Sequence, residues 1–316
     1  MAEQATRAFQ SVVGIVGICG NGLVCAVIAK VRFMHTLTNT FIFNQALIDL
    51  LGSLVTLLLN IVPIPDPIPP GATGVFICAM WESGYLQWGL FTASTFNLVV
   101  LTLERYLAIV FPFKYQALTY HKRAIAVIFA GIWVCGFLFN GFGIYLRYYE
   151  AGECVLNPVA HPEALGVFIF ACRFLVPFFV MLVVYVHIAV VLKKGAGRVL
   201  PAPAAAGPST GQAPEGQGES LMRARRNTFK TLMIVSTIFV ICWAPSEVNF
   251  FLFNLGVEVD FNSPIFYIMI GLGALNCCLN PFIYAIKYKQ FQKALKVVFC
   301  KRGDEASLST VSTSRN

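Results

Sequence analysis

Seven separate stretches of this chain are each long and apolar enough to cross a lipid bilayer, and that limits its fold more than any other feature. They fall near residues 9–31, 40–63, 75–110, 123–145, 164–192, 228–256 and 263–286. A bilayer core is about 30 Å thick and a helix rises about 1.5 Å per residue, so a crossing needs roughly 20 apolar residues. Lipid offers no partner to a bare N–H or C=O, so each span must satisfy its own backbone as a helix; the alternating pattern of barrel strands is absent. The expected fold is an all-α integral membrane bundle of seven helices over 9–286, with a short outer segment at 1–8. A membrane-surface helix at 287–300 and a tail at 301–316 follow. Composition agrees: 57% of the 316 residues are hydrophobic and 12% charged, where soluble domains carry about 25% charged residues.

Net charge is +8, but its placement says more. Lys30, Arg32, Lys114, Lys122, Arg123, Lys193, Lys194, Arg198, Arg223, Arg225, Arg226 and Lys230 gather on one side of the spans. Lys287, Lys289, Lys293, Lys296, Lys301 and Arg302 follow the last one, while the other side holds little beyond Arg7 and Arg147. The positive-inside rule places the C-terminus in the cytoplasm and the N-terminus outside; the plasma membrane is the expected location. Basic residues set between apolar spans fit a membrane face rather than nucleic acid. The segment 195–222, rich in Pro, Ala, Gly, Gln and Ser, reads as a flexible third cytoplasmic loop. No separate cleavable signal segment is visible, so the first span is expected to direct insertion. Cys19, Cys25, Cys135, Cys172, Cys242, Cys277 and Cys278 lie within apolar runs and read as small buried hydrophobes.

Polar residues inside a bilayer are costly and point to function. Asn21 alone is explained as interhelical glue, worth about 0.6 kcal/mol. Asp49 needs a partner or a cation. With Ser94, Asn276 and Asn280 it could frame an oxygen-lined site suited to a sodium ion, which would act as an allosteric ion rather than a cofactor. A transporter or channel would explain Asp49 and Arg105 as an ion path, but no internal repeat favours it. An enzyme is disfavoured, because no nucleophile–base or metal constellation is present.

Several motifs occur in order along the chain. They are Gly20-Asn21, the run Asn44 to Asp49 resembling Asn-Leu-Ala-x-x-Asp, Glu104-Arg105-Tyr106, Trp133, Pro177 with Tyr185, Cys242-Trp243-Ala244-Pro245, and Asn280-Pro281-Phe282-Ile283-Tyr284. Through them the chain resembles a rhodopsin-like (class A) G-protein-coupled receptor over essentially its whole length. The resemblance implies a disulfide between Cys78 and Cys154, in keeping with an oxidising exterior. Cys78 stands 27 residues before Arg105, a longer spacing than the family's usual one, and a small bulge would reconcile the register. Cys78-Ala-Met-Trp81 resembles a neuropeptide (galanin/allatostatin-like) subset.

The resemblance also bears on the ligand. Ala274 stands where an opsin carries its retinal lysine, and Gln87 where an amine receptor carries its aspartate. Gln87, Arg173 and Glu247 are expected at similar depth, roughly 12–16 Å from the outer helix ends. Arg173 and Glu247 read either as a buried pair disturbed by ligand or as a purely structural ion pair. Glu82, Glu150, Glu153, Glu163, Glu258 and Asp260 would give an acidic outer rim that concentrates cations. Trp81, Tyr85, Trp88, Tyr145, Tyr148, Tyr149, Phe250 and Phe251 add stacking surface, or an interfacial belt. With Trp243 and Phe250 in the pocket, the expected ligand is a basic or amidated neuropeptide. An orphan or small-molecule receptor is the alternative.

On the cytoplasmic side the resemblance makes Arg105 a latch beside Glu104 and Tyr106. Pro245 is a hinge over which Trp243 and Phe239 repack, and Pro281 brings Tyr284 toward Tyr185. A helix of a heterotrimeric G protein would enter the opened cleft. Phe291, Leu295, Val298 and Phe299 recur at helical spacing, as on a surface helix contacting membrane lipids, with Cys300 a palmitoylation candidate. Ser307, Ser309, Thr310, Ser312, Thr313 and Ser314 would serve receptor kinases and arrestin, or simply form a disordered tail.

Overall fold

The computed structural model describes residues 2–196, 215–260 and 263–299. Within them seven helices have the length and apolarity to cross a membrane: Gln4–Lys30, Leu37–Ile61, Ala72–Val110, Lys122–Leu146, Pro162–Lys193, Asn227–Asn254 and Pro264–Lys287, spans one to seven. The protein is a multi-pass, all-α membrane bundle. Two expected boundaries move. The helix of span one begins at Ala2, so the segment taken as a separate outer tail is helical. That of span six begins at Glu215, so the end of the expected flexible loop is helical too. Residues 197–214, Cys300, and the tail serines and threonines lie outside the described residues, as do the side chains of Arg223, Arg225 and Arg226.

The bundle is apolar outside and polar inside. Ile15, Val127, Leu138, Val183, Ile268 and Ile286 are all more than half exposed, while Asn21, Asn44, Gln45, Asp49, Ser94 and Asn97 are buried. Lipid is as apolar as leucine, so burying a Leu between helices gains little there. Close packing and interhelical hydrogen bonds hold the spans instead. The cysteines follow the same logic. Cys242, Cys277 and Cys278 are buried as expected, but Cys19 and Cys135 are exposed. A thiol facing lipid meets no worse a solvent than one in the core.

The irregular turns have identifiable causes. Span three starts as Ala72–Phe76, passes through a π-helical turn at Ile77–Glu82, and resumes as Tyr85–Val110 after Gly84, whose φ is +67°. In that turn the Ser83 N–H donates to the Cys78 carbonyl five residues back, at 3.1 Å. This widened turn is the bulge that the long Cys78–Arg105 spacing required. It lets Cys78 form its disulfide with Cys154, Cα to Cα 5.3 Å. Cys154 lies on strand β2 (Glu153–Leu156), antiparallel to β1 (Arg147–Glu150).

A second π-helical turn, Ala171–Leu175, precedes Pro177 and carries Arg173. Pro177 has no N–H to offer the Arg173 carbonyl, which is where a helix of this kind widens. In span seven Pro281 likewise leaves the Cys277 carbonyl without its usual donor. Asn21 supplies one, Nδ2 to O at 2.8 Å. A Cβ on Gly20 would lie 3.1 Å from carbons of the Pro281 ring, so the glycine allows the approach and the asparagine completes it. After span seven, the helix Lys289–Phe299 buries Phe291 and Ala294 and leaves Phe299 exposed.

Candidate functional site

Buried polar side chains gather at three levels. At the disulfide end a cavity of about 420 Å³ opens between spans three to seven, with Tyr85, Trp88, Asn140, Arg173, Glu247 and Phe250 in its wall. Arg173 Nε lies 2.7 Å from Glu247 Oε1, and both side chains are buried. The guanidinium centre sits 4.4 Å from the Trp88 ring and 5.6 Å from that of Phe250, an arrangement favoured by the negative face of each π system. Glu247 Oε2 has no partner among the described residues. Beneath the pair Trp243 packs on Phe91 at 5.1 Å and on Trp88 at 6.1 Å. Phe239 packs instead on Phe174, at 6.2 Å.

Gln87 does not join this group. Its Nε2 donates to Thr56 Oγ1 at 2.9 Å, and it faces a neighbouring cavity of about 360 Å³ alongside Arg7, Gln10 and Asn60. Its direction differs from the expected one. Gln87 and Trp88 are adjacent on a helix of 3.6 residues per turn and so point about 100° apart. The two cavities share Trp88, Ser246 and Ile270. None of the six rim acids lines the larger cavity. Glu82 pairs with Arg147 at 3.4 Å, and Glu150 accepts from the Tyr148 hydroxyl at 3.1 Å.

At mid-depth Asp49 is fully buried. Its Oδ1 accepts from Ser94 Oγ at 2.8 Å and its Oδ2 from Asn280 Nδ2 at 2.8 Å. Gln45 Nε2 lies 3.1 Å from Oδ1 and 3.0 Å from Oδ2. Asn276, expected here, is buried nearby but makes no hydrogen bond to Asp49. Gln45 was overlooked, although a signal existed: it stands where the Asn-Leu-Ala-x-x-Asp pattern has leucine.

At the opposite end Arg105 is 6% exposed. It pairs with Glu104 and donates to Thr38, and its Nη2 reaches the Tyr115 hydroxyl at 3.4 Å. Thr38 and Tyr115 were not anticipated. Burial, with the Glu104 charge beside it, pushes the Tyr115 phenol above its ordinary range, so it stays a neutral hydroxyl. Tyr106 meets His187 Nδ1 at 3.1 Å. Tyr185 accepts from Thr102 Oγ1 at 3.0 Å and meets Ser236 Oγ at 3.1 Å, so one phenol ties spans three, five and six. Tyr284 does not reach it. The Tyr284 hydroxyl is buried without a partner among the described residues, and its ring neighbours are Tyr288 and Phe291, each at 6.4 Å.

A buried arginine pair thus lies at one end of the bundle, an aspartate core at mid-depth and a walled cavity at the other end. Sequence comparisons identify the family. The family described as "7 transmembrane receptor (rhodopsin family)" matches residues 20–284. 5-hydroxytryptamine receptor 4 of Cavia porcellus is 30% identical across 92% of this chain and 78% of its own length. Galanin receptor type 2 of Mus musculus is 27% identical, across 92% and 74%. Somatostatin receptor type 2 of Mus musculus is 28% identical, across 92% and 75%. With the motifs, the bundle and the family match in accord, this chain belongs to the rhodopsin family of seven-transmembrane, G-protein-coupled receptors and is not an enzyme.

Proposed function

We propose that this receptor recognises the basic or amidated end of an extracellular peptide in the cavity beside Arg173 and Glu247, and passes the signal to a heterotrimeric G protein at the Arg105 end. The disulfide end faces outward in the plasma membrane and the Arg105 end faces the cytoplasm. One observation carries the ligand reading: Glu247 Oε2 is a buried acceptor without a partner among the described residues in the wall of a cavity of about 420 Å³. A buried acceptor left unmatched costs free energy, and a ligand N–H placed on it recovers that cost. Glu247 lies two residues beyond Pro245 and one turn beyond Trp243 in the same helix, so a ligand that pulls on it acts directly on the proline-interrupted part of span six.

At the other end, freeing Arg105 from Glu104, Thr38 and Tyr115 exposes a guanidinium between spans three, five and six. A helix of the G protein would dock there. Arrestin and receptor kinases are further partners on this reading. A small-molecule ligand is the second reading. The cavity volume falls within the usual range of about 300–1,000 Å³ for such sites, and amine receptors stand beside peptide receptors among the relatives.

The test is G-protein activation in cells expressing the full chain, screened against basic and amidated peptides and against amines. An active peptide whose response disappears in Arg105→Ala supports the coupling. Glu247→Gln should then lower potency about tenfold or more at unchanged surface expression. Unchanged potency rejects the pocket role, and a response to amines alone selects the second reading.

A further inference from the structure

The Asp49 core looks at first like the oxygen-lined cation site its residue types suggest. Its donor set argues otherwise. A hard cation would sit where the Asp49 carboxylate and Ser94 Oγ converge, drawing on their lone pairs. In this protein that point holds a nitrogen: Gln45 Nε2 is 3.1 and 3.0 Å from the two carboxylate oxygens and 2.5 Å from Ser94 Oγ. Ser94 turns its own hydroxyl proton to Oδ1, and Asn280 donates to Oδ2. Both carboxylate oxygens are thus met by protein N–H and O–H groups, and Asn276 contributes no contact to either. The residues present do not fit a bound sodium ion.

The amide cannot simply turn over to present its oxygen, because the polarity of the network is fixed from its far end. The Trp133 indole N–H is a donor only, and it points at Asn44 Oδ1 at 3.0 Å. Asn44 must therefore present its amide nitrogen to Asn97 Oδ1, at 2.9 Å. Asn97 in turn presents its nitrogen to Gln45 Oε1 at 2.8 Å and to the Phe41 carbonyl at 3.2 Å. Gln45 then has only its NH₂ group left for Asp49. Turning any one of the three amides would set donor against donor or acceptor against acceptor somewhere along the chain. Spans two, three and four thus hold Gln45 in the one orientation that repels a cation.

We infer that the Gln45 side-chain amide, oriented by the Trp133–Asn44–Asn97 relay, occupies the cation position on Asp49, so that sodium does not bind in the core of this receptor. The inference stands apart from the identity of the extracellular ligand. It also makes position 45 the determinant: a side chain of similar volume without donors should reopen the site to sodium.

The experiment is thermal unfolding of the full chain, purified in detergent, in sodium chloride against choline chloride at matched ionic strength, so that screening is equal in both. A ligand that binds only the folded state raises the unfolding temperature saturably. The wild type should unfold at the same temperature in both salts. Gln45→Leu, and Gln45→Met should the first variant fail to fold, should unfold at a temperature that rises saturably with sodium and not with choline. Adding Asp49→Asn should abolish that rise. A sodium-specific rise in the wild type that disappears in Asp49→Asn overturns the inference. Folded Gln45→Leu and Gln45→Met proteins that both ignore sodium overturn it as well, since the amide would not be what excludes the ion.

Discussion

Two of the three buried carboxylates among the described residues, Asp49 and Glu247, are treated in opposite ways. Asp49 sits at mid-bundle with both oxygens answered by protein donors on spans two, three and seven. Glu247 sits against a cavity with one oxygen answered by Arg173 and the other by nothing in the described structure. Buried polar groups are nearly always satisfied, so an unmatched carboxylate oxygen beside a cavity carries information. A completed network fixes how helices pack and leaves no acceptor for a visitor. An incomplete one beside a cavity leaves a specific demand, and a ligand that meets it gains what the protein alone lacks. The same functional group therefore serves as a clasp in one place and as a receptor for hydrogen bonds in the other.

The largest effect that could break this contrast is expected at the incomplete site. Arg173→Met leaves Glu247 buried without its cation and should destabilise the receptor by roughly 3–5 kcal/mol, the usual cost of removing one member of a buried pair. Combining it with Glu247→Leu should restore most of that loss, because two apolar side chains need no partners, yet the double variant should give no ligand response. Unfolding of the purified variants measures the first half and G-protein activation the second. If the single substitution is no worse than the double, the two groups are not coupled, and the contrast with Asp49 loses its basis.

Much of this was legible from residue order, and what was not shares one cause. The seven spans follow from hydropathy and a meeting of Arg173 with Glu247 from depth and charge, while the disulfide and the need for a bulge after Cys78 follow from the family resemblance; each acts along the chain or needs few partners. The misplacements concern direction. Gln87 turns toward Thr56, and Tyr284 turns toward Tyr288 rather than Tyr185. Thr38 and Tyr115 went unnoticed beside Arg105, since neither is unusual where it stands in the sequence. Gln45 could have been found. A long polar side chain one turn from a buried aspartate, in place of a leucine, has to be satisfied by something, and that aspartate was the nearest acceptor.

A smaller effect is expected on the complete side. Gln45→Ala removes a donor from Asp49 and an acceptor from Asn97, but Ser94 and Asn280 still hold the carboxylate and Asn97 still donates to the Phe41 carbonyl. The loss should be roughly 1–3 kcal/mol, the cost of leaving a buried group partly unmatched. A loss as large as that of Arg173→Met would mean that Asp49 depends on Gln45 alone and that its network is no more redundant than the pair at Glu247.

The smallest effect is the most discriminating. Trp133→Phe keeps an aromatic six-membered ring but deletes the pyrrole ring with the N–H that sets the direction of the amide relay, so Asn44 Oδ1 loses its donor. The direct cost should be about 1 kcal/mol, that of a single neutral hydrogen bond. If direction is transmitted through Asn44 and Asn97, the cost of Trp133→Phe must depend on whether Gln45 still needs orienting. It should therefore be smaller in a Gln45→Leu background than in the wild type. Independent sites add to within about 0.3–0.5 kcal/mol, so a double-mutant cycle that closes within that margin would show that each amide is oriented locally. The completeness of the Asp49 network would then be a property of its nearest neighbours and not of a relay reaching across three helices.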